Sequence, residues 1–182
     1  MKRLICLLLS LLMLMGMAFA EPEATAAVET PEASAQPEES AAPVQSPDLP
    51  VTIGFEDGFS LELPAGWKYY TITEEMAAQG VLYCLSDESA QRWLYIQSWN
   101  TDCADIDSLQ DLIERSAAPQ TSGIYTFNGT DFVIYDLVEG DVSCCAALVD
   151  GRVLNFVFTP QSNAAFMANA TQIIGSFGIL AE

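Results

Sequence analysis

Four aspartates between positions 102 and 111 form the densest group of potential metal ligands in the sequence. Asp102, Asp105, Asp107 and Asp111 offer carboxylate oxygens, the ligands that Ca²⁺ prefers. Their spacing matches no EF-hand, and the segment lacks the glycine that an EF-hand loop needs for its sharp turn. Aspartates near a helix start also cap free N–H groups and interact favourably with the helix dipole. The pattern therefore favours helix capping, with Ca²⁺ binding as the alternative.

Four cysteines downstream of an N-terminal apolar run provide the second group of reactive side chains: Cys84, Cys103, Cys144 and Cys145. An even number of cysteines in an exported chain indicates disulfides. Cys144 and Cys145 are adjacent in a strand-like run, so they should face opposite sides and need separate partners. We expect at least one bridge from this pair to Cys84 or Cys103. Four reduced, buried thiols or a Cys₄ metal site are the alternatives.

Trp93, Tyr95 and Trp99 alternate along one strand-like run and therefore share one face. Planar rings arranged in this way can stack on sugars or on a peptide. The commoner role of such a row is to form core beneath a helix. The row is thus a candidate ligand-stacking surface whose alternative is a structural one.

The sequence lacks the residues of most catalytic sites. It contains no histidine, which excludes Ser-His-Asp triads, Cys-His pairs and histidine-ligated zinc. It also contains no nucleophile-elbow, dinucleotide-binding or Walker-type glycine motif. A hydrolase with paired carboxylates needs only Asp and Glu, so that class stays open. We expect no enzymatic activity and no cofactor.

Acidic residues greatly outnumber basic ones after position 20. All 25 acidic residues follow position 20, together with only four basic ones: Lys68, Arg92, Arg115 and Arg152. This charge disfavours binding to nucleic acid and to anionic membrane surfaces. We expect the partner to be an extracellular protein or a small ligand.

Composition divides the chain into residues 1–20, 21–50 and 51–182. The first segment begins with Lys2 and Arg3, continues as an apolar run and ends in Ala-Phe-Ala, the pattern of a cleaved signal peptide. A retained membrane anchor is the alternative. The second segment combines six prolines with Ala, Glu, Ser and Gln and has no aromatic or basic residue, which predicts a disordered linker. The third suits one domain of a secreted or cell-envelope protein with no further membrane span.

Turn signals and hydrophobic periodicity predict eight strands and three helices in the domain. The strands are expected at residues 51–56, 59–63, 81–86, 91–99, 122–127, 131–138, 142–149 and 152–158. The helices are expected to begin at caps provided by Thr73, Asp107 and Ser162. Several strands are apolar on both faces, and the short turns between them require antiparallel pairing. An α+β fold follows, in which helices cover both faces of an antiparallel sheet as an α/β/α sandwich.

The stretch FSLELPAGW at residues 59–67 ends a strand at a proline and places a tryptophan directly after the turn. We expect Trp67 to be largely buried at the end of the core. Together with IIGSF at residues 173–177, the stretch resembles the PsbP-like family. That family includes an extrinsic subunit of photosystem II, a nuclear-import factor that binds the Ran GTPase, and small secreted bacterial proteins of unassigned activity. The resemblance spans roughly residues 51–180, implies the architecture, and assigns no functional residue.

These observations predict a secreted, non-catalytic binding or accessory module. A Ca²⁺-dependent or glycan- or peptide-binding surface protein is the first alternative, because of the aspartates and the aromatic row. A hydrolase with paired carboxylates is the second.

The signal-like run generates a prediction about export. We expect cleavage before Glu21, because the apolar run ends there in a small-x-small sequence. Intact-mass measurement of protein recovered after export should give a chain that begins at Glu21. A mass corresponding to the full chain would instead support the anchor.

Overall fold

The computed structural model describes residues 51–180, so the predicted signal peptide at 1–20 and linker at 21–50 lie outside the described residues. Ten strands and three helices form the described part. The strands are β1 Val51–Phe55, β2 Phe59–Leu63, β3 Lys68–Tyr69, β4 Val81–Ser86, β5 Trp93–Asn100, β6 Thr121–Phe127, β7 Thr130–Leu137, β8 Val142–Val149, β9 Arg152–Thr159 and β10 Gly178–Ile179. The helices are α1 Glu74–Ala78, α2 Ile106–Ala117 and α3 Ala164–Gly175.

The strands form two antiparallel sheets. The large sheet has seven strands in the order β3-β4-β5-β9-β8-β7-β6, and the small sheet has the order β1-β2-β10. Two-residue turns join β6 to β7 and β8 to β9, at Asn128-Gly129 and Asp150-Gly151. All four turn residues have positive φ, as such hairpins require. The eight strands expected from the sequence are confirmed, whereas the two-residue strands β3 and β10 are additional.

The predicted α/β/α sandwich is wrong. Strands make up 45% and helices 22% of the structure, which is mainly antiparallel β. One face of the large sheet is covered by the small sheet together with α3. On the other face, α2 contacts β6, β7 and β8. The two-faced apolar strands were interpreted correctly as needing cover, but a second sheet buries apolar surface as well as helices do.

Each face of the large sheet has its own core. The first core lies between the two sheets and α3 and is rich in phenylalanine; Phe55 and Phe59 stack with ring centroids 4.5 Å apart. The second core lies beneath α2, which contributes the buried Leu109 and Ile113. Trp67 stacks on Phe166 of α3 at 6.1 Å but is only half-buried, because it packs at the margin of the first core. The expectation of a largely buried Trp67 is therefore corrected.

Side-chain caps define the helix starts. Thr73 caps α1 as predicted, accepting a hydrogen bond from the Met76 N–H. The cap of helix α2 lies two residues before the predicted Asp107, because Asp105 and Ser108 form a reciprocal capping box there. Helix α3 is capped by Asn163 rather than Ser162. Ser162 instead bonds Asp141, with its N–H and hydroxyl both donating to that carboxylate.

A cluster around Asp57 connects the small sheet to the large one. Asp57 lies in the loop between β1 and β2 and accepts a hydrogen bond of 2.8 Å from the Tyr83 hydroxyl. Arg152 donates to the Asp57 backbone carbonyl at 2.6 Å and to its carboxylate at 3.3 Å. Burial, together with the bond to Asp57, raises the pKa of Tyr83 to about 12. The hydroxyl therefore stays protonated and remains a donor at neutral pH.

Replacing Arg152 with methionine should loosen this connection. We expect Arg152→Met to lower the free energy of unfolding by about 1–2 kcal/mol, because it removes two charge-assisted bonds at a partly exposed site. Urea denaturation measures the change. Arg115→Met is the matched control: Arg115 is exposed and, among the described residues, bonds only within α2, so its effect should stay within about 0.5 kcal/mol. Equal effects in the two variants would contradict the role assigned to Arg152.

Candidate functional site

Tyr70, Trp93 and Tyr95 form a continuous row of rings, here called the aromatic face. The rings of Trp93 and Tyr95 are stacked, with centroids 6.0 Å apart and planes 10° apart. The Tyr70 ring lies 4.8 Å from that of Trp93, tilted by 58°. Tyr95 packs at the margin of the second core. Because α2 contacts β6, β7 and β8, the rings on β5 lie beside the helix and stay partly open to solvent.

The turn that precedes β5 holds Trp93 in place. Asp87, only 5% exposed, accepts hydrogen bonds from the N–H groups of Gln91 and Arg92, from the Arg92 guanidinium at 2.7 Å and from the Ser89 hydroxyl. Burial alone would raise the pKa of Asp87, but these bonds outweigh it and hold that pKa below its ordinary value. The Trp93 indole N–H in turn donates to the Ala90 carbonyl at 3.0 Å. The ring orientation is thus set before any ligand arrives.

Trp99 continues the predicted aromatic row but lies apart from the aromatic face. Gln97 separates it from Tyr95 along β5, and no described ring stacks on it. Its buried indole N–H has no hydrogen-bond partner among residues 51–180, and the same holds for the buried side-chain oxygen of Gln79. The Ser98 N–H donates to the Gly80 carbonyl at 2.8 Å, which brings the two segments together. The structure therefore unites two of the three predicted aromatic residues and adds Tyr70.

A buried polar row crosses the second core, and sequence reasoning assigned it no role. The Tyr135 hydroxyl donates to the Asn155 side-chain oxygen at 3.4 Å, and the Asn155 amide donates to Gln97 at 3.0 Å. Asn155 is fully buried, and burial raises the pKa of Tyr135. The sequence signal for this row was a polar residue inside each of two largely apolar strands, Gln97 in β5 and Asn155 in β9. Because the three side chains satisfy one another away from solvent, the row stabilises the sheet.

The four candidate Ca²⁺ ligands are all exposed. Asp105 caps α2, where the backbone and side-chain hydrogen bonds from Ser108 lower its pKa. Asp107 lies in the first turn of that helix and Asp111 lies further along it. Across residues 51–180, no three His, Cys, Asp or Glu side chains are grouped in a way that could hold a metal ion. The geometry supports the capping interpretation for Asp105.

The sheet register separates the cysteines. Cys144 belongs to the second core and Cys145 to the first, so the adjacent thiols face opposite sides as predicted. Cys84 lies on β4, three strand positions from β8, which corresponds to roughly 14 Å. A disulfide requires Cα atoms within about 7 Å, so Cys84 cannot bridge to either. Cys103 packs against the second core. Among the cysteines of residues 51–180, it shares that side of the sheet with Cys144 and with Cys84, which pairs with Tyr95 across β4 and β5.

The fold is similar to that of a solved structure. The solution structure of cyanobacterial PsbP (CyanoP) from Synechocystis sp. PCC 6803 matches with a TM-score of 0.52 and 12% identity, covering 78% of this chain and 98% of that one. The chain has a PsbP-like fold. A crystal structure from Bacteroides thetaiotaomicron VPI-5482 matches with a TM-score of 0.48 and 12% identity, covering 75% of this chain and 50% of that one.

The PsbP-like fold confirms the resemblance drawn from the FSLELPAGW stretch. No protein-family model and no curated protein sequence matches this chain. At 12% identity the likeness concerns the fold, so the aromatic face is argued from its own geometry. No helix within residues 51–180 is long and apolar enough to span a membrane.

The four thiols are unbonded in the structure, and burial raises the pKa of Cys84 to about 11 and that of Cys144 to about 12. Burial also raises the pKa of Cys145. After reduction, a thiolate-selective alkylating reagent should label the half-buried Cys103 first, because the other three thiols are buried and protonated at neutral pH. Timed labelling with mass spectrometry measures the order.

The bridge prediction narrows to Cys103 and Cys144, and it stays a prediction. Peptide mapping without reductant should then show a linked pair of these two residues in exported protein. A link from Cys84 to Cys144 or Cys145 would contradict the strand order of the large sheet.

Proposed function

We propose that residues 51–182 form a non-catalytic binding module of an exported protein. Residues 1–20 would direct export and residues 21–50 would act as a spacer. The module would then operate outside the cytoplasm, in the cell envelope or the extracellular medium. Its ligand would be an extracellular protein or a small molecule with a flat apolar surface, such as a sugar ring.

The aromatic face is the observation that carries this proposal. Trp93 and Tyr95 present stacked, half-buried rings, and the exposed Tyr70 ring lies tilted against Trp93. The bonds to Asp87 and Ala90 order the turn beneath Trp93 before binding. Aromatic side chains provide large contact areas at a low entropic cost when they are already ordered. Packing against the second core explains the buried part of the Tyr95 ring. It does not explain why the Tyr70 and Trp93 rings each keep a side open to solvent.

The ionisable groups support a binding role over a catalytic one. A glycoside hydrolase needs a carboxylic acid whose pKa is raised, so that it can donate a proton near neutral pH. The carboxyls with shifted pKa values, Asp87, Asp105 and Glu114, are all shifted downward. The shifted thiols, in contrast, are held protonated by burial. These shifts suit structural hydrogen bonds rather than proton transfer or nucleophilic attack.

Two adjacent tyrosines provide a matched test. Tyr70 contacts Trp93, whereas its more exposed neighbour Tyr69 contacts Phe55 and Tyr83 on the opposite face of the sheet. We expect Tyr70→Ala and Trp93→Ala each to weaken binding of a soluble oligosaccharide by about 3- to 10-fold, the contribution of a ring stack. Tyr69→Ala should leave affinity unchanged.

Calorimetric titration with cellohexaose, chitohexaose and mannohexaose measures these affinities in the full chain, with melting curves as the check on folding. If none of the three sugars binds the unmodified chain, a sugar-binding role for the aromatic face is refuted. If Tyr69→Ala and Tyr70→Ala weaken binding equally, the ligand lies elsewhere.

A further inference from the structure

Strand β6 ends the large sheet with a long, unprotected edge. It spans Thr121–Phe127, and β7 is its only neighbour among the described strands. The opposite edge of the same sheet is closed by β3, which has two residues and carries Lys68. Natural proteins protect exposed edges with charges, prolines or short strands. Strand β6 contains no charged residue and no proline, so it lacks each of these protections.

The hairpin register shows which backbone groups lie free along this edge. A two-residue turn joins β6 to β7, and Phe127 pairs with Thr130 beside it. In such a hairpin, residues next to the turn exchange both backbone bonds, and every second residue does the same. The N–H and C=O groups of Ser122, Ile124 and Thr126 therefore point away from β7. They are available to an added strand.

Carboxylates accompany this edge on both faces of the sheet. The Thr126 hydroxyl donates to Asp131 at 2.6 Å, and the Thr121 hydroxyl donates to Asp136 at 2.8 Å. On the α2 side, Ser122 and Gln110 donate to Glu114, and these bonds lower the pKa of Glu114. No salt bridge formed within residues 51–180 involves Asp131, Asp136 or Glu114. The edge thus combines unpaired backbone groups with unneutralised negative charge.

We propose that β6 binds an extended, basic peptide segment of a partner protein by adding it as an eighth strand of the large sheet. The free N–H and C=O groups would form the backbone ladder. The carboxylates would select lysine or arginine side chains on the added strand. This surface is distinct from the aromatic face, whose residues Trp93 and Tyr95 lie on β5 with three strands between them and β6.

The positions of the carboxylates define a sequence preference in the added strand. Asp136 lies beside Thr121 and Asp131 lies beside Thr126, so the two acidic positions are five residues apart along β6. Side chains five apart in a strand lie on opposite faces. The preferred segment therefore carries two basic residues separated by five positions.

A second copy of the chain is a poor occupant of the edge. Pairing β6 with β6 of another copy would bring two sets of these carboxylates together, and the whole chain carries a formal charge of −19. Like charges brought together across paired strands destabilise the pairing. The charges that attract a basic segment thus also oppose self-association through this edge.

The test uses the full chain and a dye-labelled octapeptide of threonine and valine with lysines at its second and seventh positions. Fluorescence anisotropy should show saturable binding that weakens as salt is added. Thr126→Pro removes an outward N–H at an edge that tolerates proline, and we expect about tenfold weaker binding. Thr52→Pro is the matched control, since Thr52 is exposed on β1 at the edge of the small sheet.

Two further measurements separate charge from backbone pairing. The same peptide with glutamate in place of lysine should not bind, and Asp131→Asn combined with Asp136→Asn should reduce both affinity and salt dependence. A peptide methylated on the backbone nitrogens that face β6 should lose binding to the unmodified chain. The methylated peptide therefore tests backbone pairing even if Thr126→Pro does not fold.

Four results would overturn the proposal. The first is no binding of the lysine peptide to the unmodified chain. The second is equal binding of the lysine and glutamate peptides. The third is unchanged affinity in Thr126→Pro, with folding shown by its melting curve. The fourth is a dimer in sedimentation that Thr126→Pro dissociates, because that would assign the edge to a second copy.

Discussion

The structure depends on the need to cover both faces of the large sheet. Seven consecutive residues of β9, from Val153 to Thr159, are buried, so the side chains of this central strand avoid solvent on either side. The antiparallel hairpins that produce the sheet leave its faces bare, because their turns are too short to contain a helix. The helices and strands that cover the two faces must therefore come from segments before, between and after the hairpins. The small sheet, α2 and α3 meet this need from distant parts of the chain.

The two covers differ in extent, and this difference locates the proposed binding surface. On one side, the small sheet and α3 enclose a phenylalanine core, joined to the large sheet through Asp57, Tyr83 and Arg152. On the other side, a single 12-residue helix lies over β6, β7 and β8. Trp93 on β5 therefore lies beside that helix rather than under it. The buried, hydrogen-bonded row of Tyr135, Asn155 and Gln97 extends across the second core to β5, the strand that carries Trp93.

Particular residues show how far sequence reasoning reached. Asn128-Gly129 and Asp150-Gly151 predicted their hairpins because only a few residue types accept positive φ at both positions of a tight turn. Thr73 predicted the start of α1 for a similarly local reason, because its side chain can accept a hydrogen bond from a free N–H of the first turn. The Arg152–Asp57 pair joins residues 95 positions apart, and no local pattern announces such a contact. The prediction of a helix-covered sandwich was wrong for the same reason. An apolar strand face shows that the face must be covered, but it does not show which helix or strand covers it.

The sequence by itself determined the strands, the tight turns, the opposite orientations of Cys144 and Cys145, and the likeness to the PsbP-like fold. These features follow from backbone preferences and side-chain alternation over a few residues. The tertiary structure decided which layer covers each face, which cysteines share a core, that Tyr70 joins Trp93, and that β6 ends the sheet. Each of these depends on strand order. Strand order is set by packing between residues far apart in the chain, which local periodicity does not encode.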